Sequence, residues 1–244
     1  MRPIDGGTCS ICGEGLVSQY AYANEHGEAL CGLCRRVAPP FAKATAYGSY
    51  DGGLRELIHL LKYDQVRPAA NVLGRMLADA ITDLEESFGA HDLLFPNQPV
   101  LMVPVPLHAR KLRQRGFNQT EMIARVALKL RHSGQEMILA PDMLIRQRET
   151  KSQIGLTRHQ RRENMRGAFA VAKPEALQDR EVLLVDDVFT TGTTASECAR
   201  VLRRAGAKRV WVATVARTLK TEAQNAIHPE ERDEELRRAM AAHG

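Results

Sequence analysis

The segment Val182–Thr194, VLLVDDVFTTGTT, constrains the fold more than any other stretch. Four apolar residues run into two adjacent carboxylates and then into a threonine-rich turn around Gly192. A short apolar run that ends in a polar turn and leads into a helix suits a strand buried on both faces of a parallel sheet. Ligands of such sheets gather at the carboxyl ends of the strands. The helix is expected from Thr193 to Ala205, with Gly206 as its stop.

The opening of that helix is expected to form an anion socket. Its first amides have no intrahelical partner, its dipole end is positive, and Thr190, Thr191, Thr193 and Thr194 add hydroxyl donors. Asp186 and Asp187, just upstream, suit sugar hydroxyls and Mg²⁺, which a site for phosphate alone does not need. A sugar phosphate satisfies both halves. The stretch lacks the lysine of GxxxxGK[ST] and the three glycines of GxGxxG, which speaks against a P-loop and against a dinucleotide fold. The plainer reading is that the acids cap a turn and the threonines solvate it.

The rest of the chain alternates in the same way. Strands are expected at VLMVPVP, Met143–Arg148, GAFAVA, EVLLVDD and RVWVATV. Helices are expected at LRELIHLLKY, where Leu54, Leu57, Ile58 and Leu61 recur at helical spacing, around Asn71–Glu86, and from about Asn118 to Arg131. Strands alternating with helices predict a parallel α/β sheet. Two segments are expected as loops: the basic run after VLMVPVP, and Gln147–Arg166, which is too charged to bury.

At the N-terminus, Cys9 and Cys12 are followed after 18 residues by Cys31 and Cys34, the two-knuckle spacing of a four-thiolate zinc site. Disulfides or redox CxxC motifs are the alternative. No stretch approaches the roughly 18 apolar residues of a membrane span, and MRPIDGGTCS lacks the apolar core of a signal peptide. These features predict a cytoplasmic protein without membrane insertion, in a compartment where paired cysteines serve as ligands. Such a zinc would be structural, because four protein ligands leave no position open, and it would supply most of the folding energy of so small a segment. Cys198 is expected to be a small buried hydrophobe.

VLLVDDVFTTGTT closely resembles the phosphoribosyl-pyrophosphate (PRPP) motif of type I phosphoribosyltransferases. VPVPLHARKLRQRGFNQ, RETKSQIGLTRHQRRENMRGAF, LIHLLKY and the cysteine knuckles together look like the ComF family of competence-associated proteins. The resemblance spans about residues 9 to 217. It implies an α/β fold: a type I phosphoribosyltransferase-like parallel sheet flanked by helices, preceded by a small zinc-ribbon module. The division implied is a double zinc-ribbon-like four-cysteine module at 1–40, a phosphoribosyltransferase-like domain at 41–219 and a charged tail at 220–244. It also implies that Asp186 and Asp187 form the catalytic acidic pair facing the ribose and Mg²⁺, and that Thr190, Thr191, Gly192, Thr193 and Thr194 bind the 5′-phosphate. The segment Val103–Asn118 takes the place of the pyrophosphate loop, and Gln147–Arg166 that of the loop closing over the reaction.

Lys and Arg outnumber Asp and Glu by 34 to 29, a formal net charge of +5, and the excess matters where it clusters. Arg110, Lys111, Arg113 and Arg115 fall close together after a strand, and the second basic segment includes Arg146, Arg148, Lys151, Arg161 and Arg162. These cations suit pyrophosphate or a nucleic-acid backbone equally, and either run alone suits a solvated face. Phe117 and Phe169 are the aromatics beside the basic runs, so no extended base-stacking platform is expected. The function expected is PRPP binding with Mg²⁺ in support of DNA uptake, with phosphoribosyl transfer to an unidentified acceptor. The alternative is a non-catalytic adaptor on the same fold that binds single-stranded DNA or a competence-machinery partner.

Overall fold

The computed structural model describes residues 7–16, 22–23, 28–87, 98–131, 135–150 and 157–219. The charged tail 220–244 and residues 151–156 of the second basic segment, Lys151 among them, lie outside the described residues. Strands β1 (Tyr22–Ala23) and β2 (Ala29–Leu30) form a small antiparallel pair, followed by α1 (Gly32–Arg36). Then come β3 (Ala44–Ser49), α2 (Gly52–Lys62), α3 (Ala69–Glu86), β4 (Val100–Pro104), α4 (Ala109–Arg115), α5 (Gln119–Leu130) and β5 (Met137–Leu139). The chain continues through β6 (Leu144–Arg146), α6 (Arg158–Met165), β7 (Phe169–Val171), β8 (Glu181–Phe189), α7 (Thr193–Arg204) and β9 (Arg209–Arg217).

Five strands make one wholly parallel sheet in the order β3-β9-β8-β4-β5. Alternation along the strands sends Met102, Leu183, Val185, Trp211 and Ala213 to a core with α2, α3 and α5. Val103, Val182, Leu184, Val210 and Val212 face the opposite core with α7, and the four cysteines join that second core. Both faces are therefore covered, as the apolar strands require. From β4 the chain moves on to β5 at one edge, and from β8 it moves to β9 on the other side, so the direction of winding reverses between β4 and β8. A crevice opens at the carboxyl ends of strands at such a reversal.

Several sequence expectations need correction. The basic run after β4 is a helix, α4, capped by His108 and ended by Gly116 at φ 79°. The second half of the other basic segment is also helical, because Thr157 and Gln160 form a reciprocal capping box that nucleates α6. The segments Met143–Arg148 and GAFAVA do not enter the parallel sheet; β6 and β7 pair antiparallel with each other. The strands β3 and β5 were not expected, since ATAYGS is small and polar and MIL is only three residues long.

Helix α3 crosses α5 at Gly74, where an added Cβ would overlap the Cγ1 and Cβ of Val126. Gly74→Ala gains about 1 kcal/mol of helix propensity, but overpacking this crossing costs about 1–3 kcal/mol. Denaturant unfolding is expected to show a net loss of stability, and a gain would show that the two helices part without cost.

Candidate functional site

Asp186 and Asp187 lie inside β8, three and two residues before its end, and the strand continues past the expected EVLLVDD to Phe189. Polar residues can extend a strand here because β9 continues alongside, with Asp186 opposite Thr214 and Phe189 opposite Arg217. Asp187 is 5% exposed. A carboxylate buried that deeply requires partners. Lys62, the last residue of α2, approaches Asp187 Oδ2 to 2.7 Å, and Gln119 Nε2 donates to the same oxygen at 3.0 Å. Arg115 in turn donates to Gln119 Oε1, and its guanidinium lies 5.8 Å from the Tyr63 ring.

The two acids are not equivalent. Burial opposes the Asp187 carboxylate, yet the Lys62 ammonium and the hydrogen bonds from Lys62 and Gln119 more than offset it and hold the group below the ordinary carboxylate range. Lys62 likewise loses hydration and regains more from Asp187, so its ammonium titrates above its usual value. Asp186 keeps part of its surface open, and the hydrogen bond it accepts is from its neighbour's amide, Asp187 N to Oδ1 at 2.9 Å. Burial, reinforced by the charge on Asp187, pushes Asp186 up to about 8.

Lys62 and Gln119 were missed by the motif reading. Each carries a signal that could have found it: Lys62 continues the buried stripe of Leu54, Ile58 and Leu61, and Gln119 opens that of Ile123 and Ala127. A polar residue in an apolar stripe must meet a partner inside.

Beyond β8 the chain turns at Thr190 and Thr191 and enters α7 through Gly192, whose φ of 72° is left-handed. Thr191 and Thr193 join hydroxyls at 2.8 Å, and Thr193 is buried at the helix start, while Thr190 is exposed. These residues follow the acids directly in the chain, at the carboxyl end of β8. A cationic rim adjoins them. Partial loss of hydration lowers the titration of the exposed Lys111, and the nearby charges of Arg146, Arg115 and Lys62 lower it further, so these four cations share one electrostatic neighbourhood. Arg146 lies close enough to Asp186 to feel its charge and stacks 5.4 Å from the Phe169 ring. Arg110 pairs with Glu149 at 3.3 Å, and Arg113 is exposed on α4. Arg161 and Arg162 belong to α6, which packs on α7 and is tied to it by Gly167 N donating to Glu197 at 2.8 Å.

At the other end of the chain, the Sγ atoms of Cys9, Cys12, Cys31 and Cys34 lie within 4.8 Å of one another, all buried and none in a disulfide. The Cys12–Cys31 separation is 3.7 Å. A tetrahedron with metal–sulfur bonds of about 2.3 Å has edges of about 3.8 Å, so the cluster fits a four-coordinate thiolate centre.

The raised Asp186 carboxyl has a measurable sign. A folded-state value above the unfolded 3.8 contributes stability that is complete below 3.8 and is lost as pH rises through about 8. Asp186→Asn should therefore gain stability relative to the parent protein across that window, with little change in the gap outside it. Thermal unfolding across pH measures the gap, and a constant gap would contradict a buried, proton-holding Asp186.

The Phosphoribosyl transferase domain family matches residues 121–236. DNA utilization protein YhgH of Escherichia coli strain K12 is 31% identical over 219 residues, covering 87% of this chain and 91% of that protein. Competence protein F of Haemophilus influenzae is 31% identical over 219 residues, covering 86% of this chain and 90% of that protein. A solved hypoxanthine phosphoribosyltransferase of Trypanosoma cruzi aligns over 62% of this chain and 66% of that chain at 12% identity, with a TM-score of 0.38. The parallel sheet, its reversal at β4 and β8 and the family match give a type I phosphoribosyltransferase-like fold. With relatives of this identity along nearly its whole length, the chain belongs to the ComF family of competence-associated proteins.

Proposed function

We propose that the crevice binds PRPP with Mg²⁺ and that the protein serves DNA utilization, as the names of its relatives suggest. The inequality of the two acids carries this reading. Asp187 is committed to Lys62 and Gln119, which fixes the strand end, and Asp186 remains to face a ligand. Mg²⁺ typically binds through one or two carboxylates and keeps several waters, so a single available acid beside a phosphate socket fits it, and the ion would displace the proton that Asp186 holds in its absence. When bound, that ion neutralises charge developing on departing pyrophosphate.

The chain's own groups perform the rest. Thr190, Thr191, Thr193 and Thr194 with the first amides of α7 hold the 5′-phosphate. Asp186 accepts a hydrogen bond from a ribose hydroxyl and orients C1′. Lys111, Arg115 and Arg146 offset the pyrophosphate charge as the C1′–oxygen bond breaks and the acceptor's new bond to C1′ forms. The exposed Arg110, Lys111 and Arg113 on α4 also suit a single-stranded DNA backbone, which would then run beside the sugar-phosphate site.

Calorimetry with PRPP and Mg²⁺ tests the ligand. Binding by the parent protein is expected, and Asp186→Asn should weaken it about ten- to hundredfold, the worth of one charge-assisted hydrogen bond. Asp187→Ala is the poorer variant because it strands the Lys62 ammonium in a buried position. No binding by the parent protein at millimolar PRPP would sink the reading. The same titration with a single-stranded oligonucleotide should give binding that Arg113→Ala weakens and that salt suppresses. Oligonucleotide binding alone would leave the adaptor role.

The cysteine cluster is proposed to hold one structural Zn²⁺. Cys31→Ser is expected to lose the metal and to lower the melting temperature by at least about 5 °C. Full zinc retention by that variant would exclude Cys31 as a ligand.

A further inference from the structure

We infer that Arg217 and Phe189 are positioning residues that make the N-terminal cysteine knuckle a support for the phosphate loop, an inference that rests on the reading of Thr190–Thr194 as an anion site. Arg217 ends β9 and is 3% exposed. Its guanidinium donates to the Cys12 carbonyl, lies 3.9 Å from Cys12 Sγ, and pairs with Glu14 at 2.7 Å. Its other face covers the Phe189 ring at 4.7 Å from the centroid. One buried cation therefore touches a ligand-bearing turn on one side and an aromatic ring on the other.

The ring leads directly to the loop. Phe189 is the last residue of β8, and its edge-to-face contact with Phe41, 6.0 Å between centroids, fixes it from a second direction. Gly192 rests on the same ring: a Cβ there would come 2.6 Å from Phe189 Cζ. Gly192 is also the left-handed residue through which the loop enters α7. The direction of the first α7 amides thus depends on where the ring lies, and the ring's place depends on Arg217. The peptide groups agree, since Thr218 N donates to the Phe189 carbonyl at 3.0 Å and Ala44 N donates to the Ile11 carbonyl at 2.7 Å.

A divalent ion held by four thiolates would leave the cluster with net negative charge that the Arg217 guanidinium would partly offset, which would couple the two electrostatically.

The test uses the full chain with its metal retained. Arg217→Lys keeps the charge facing Glu14 but cannot also span Cys12 and lie flat on Phe189. At unchanged metal content, its backbone NMR spectrum should show a displaced Gly192 amide and an unmoved Gln119 amide on the far side of the site, and PRPP affinity should fall about tenfold. General destabilisation would not select Gly192. If Arg217→Lys does not fold, Glu14→Gln, which leaves Arg217 in place and weakens its anchor, gives the same readout. An unmoved Gly192 amide in the variant that folds would overturn the inference, as would a PRPP affinity within about twofold of the parent protein. If the parent protein binds no PRPP, the ligand reading falls, and the Gly192 amide still decides the coupling.

Discussion

A carboxylate inside a parallel sheet has to be matched, and matching Asp187 organises this molecule around its crevice. The ammonium that meets it comes from the end of α2 and the amide from the start of α5, so one buried charge draws two helices to the carboxyl end of β8. Removing either partner of a buried ion pair leaves the other uncompensated, a large cost in a structure whose total stability is on the order of 10 kcal/mol. With Asp187 settled, its neighbour bears the conflict. Two adjacent carboxylates with one ammonium cannot both ionise at ease, and Asp186 holds its proton to about 8.

The parts of the fold that were legible in the sequence are those whose side chains obey one period over a long run. The helices α2, α3, α5 and α7 fell within a few residues of expectation because their apolar stripes are continuous. The central strands β4, β8 and β9 were legible because both faces are apolar. The helices α4 and α6 were not. ARKLRQR and RHQRRENM have little apolar stripe, and what makes them helical is the cap at each start, His108 for one and Thr157 with Gln160 for the other. Caps are local polar contacts and leave no periodicity to detect.

The site divides along the same line. The acids, the threonines and the cysteines were legible because each set is contiguous or regularly spaced, so that spacing alone brings the groups together. Lys62 and Gln119 were not, because what matters about them is the residue they meet, and that residue is far away in sequence. Arg217 is a third case of the same kind. At the end of an apolar strand it reads as a boundary residue, whereas in the fold it is an interior cation shared by a cysteine turn and an aromatic ring.

The register of the sheet also sets an order of events during synthesis. Ala44 pairs with Val212 and Ser49 with Arg217, so an early strand finds its neighbour only when nearly the whole domain has been made. The cysteine turn waits as well, because the guanidinium that receives it is carried by the last strand. Pairing across such long separations delays folding and leaves strand edges uncovered while the chain emerges from the ribosome. A ribosome stalled shortly before Arg217 would therefore display a chain whose four cysteines have all been made but whose cysteine turn still lacks its seat.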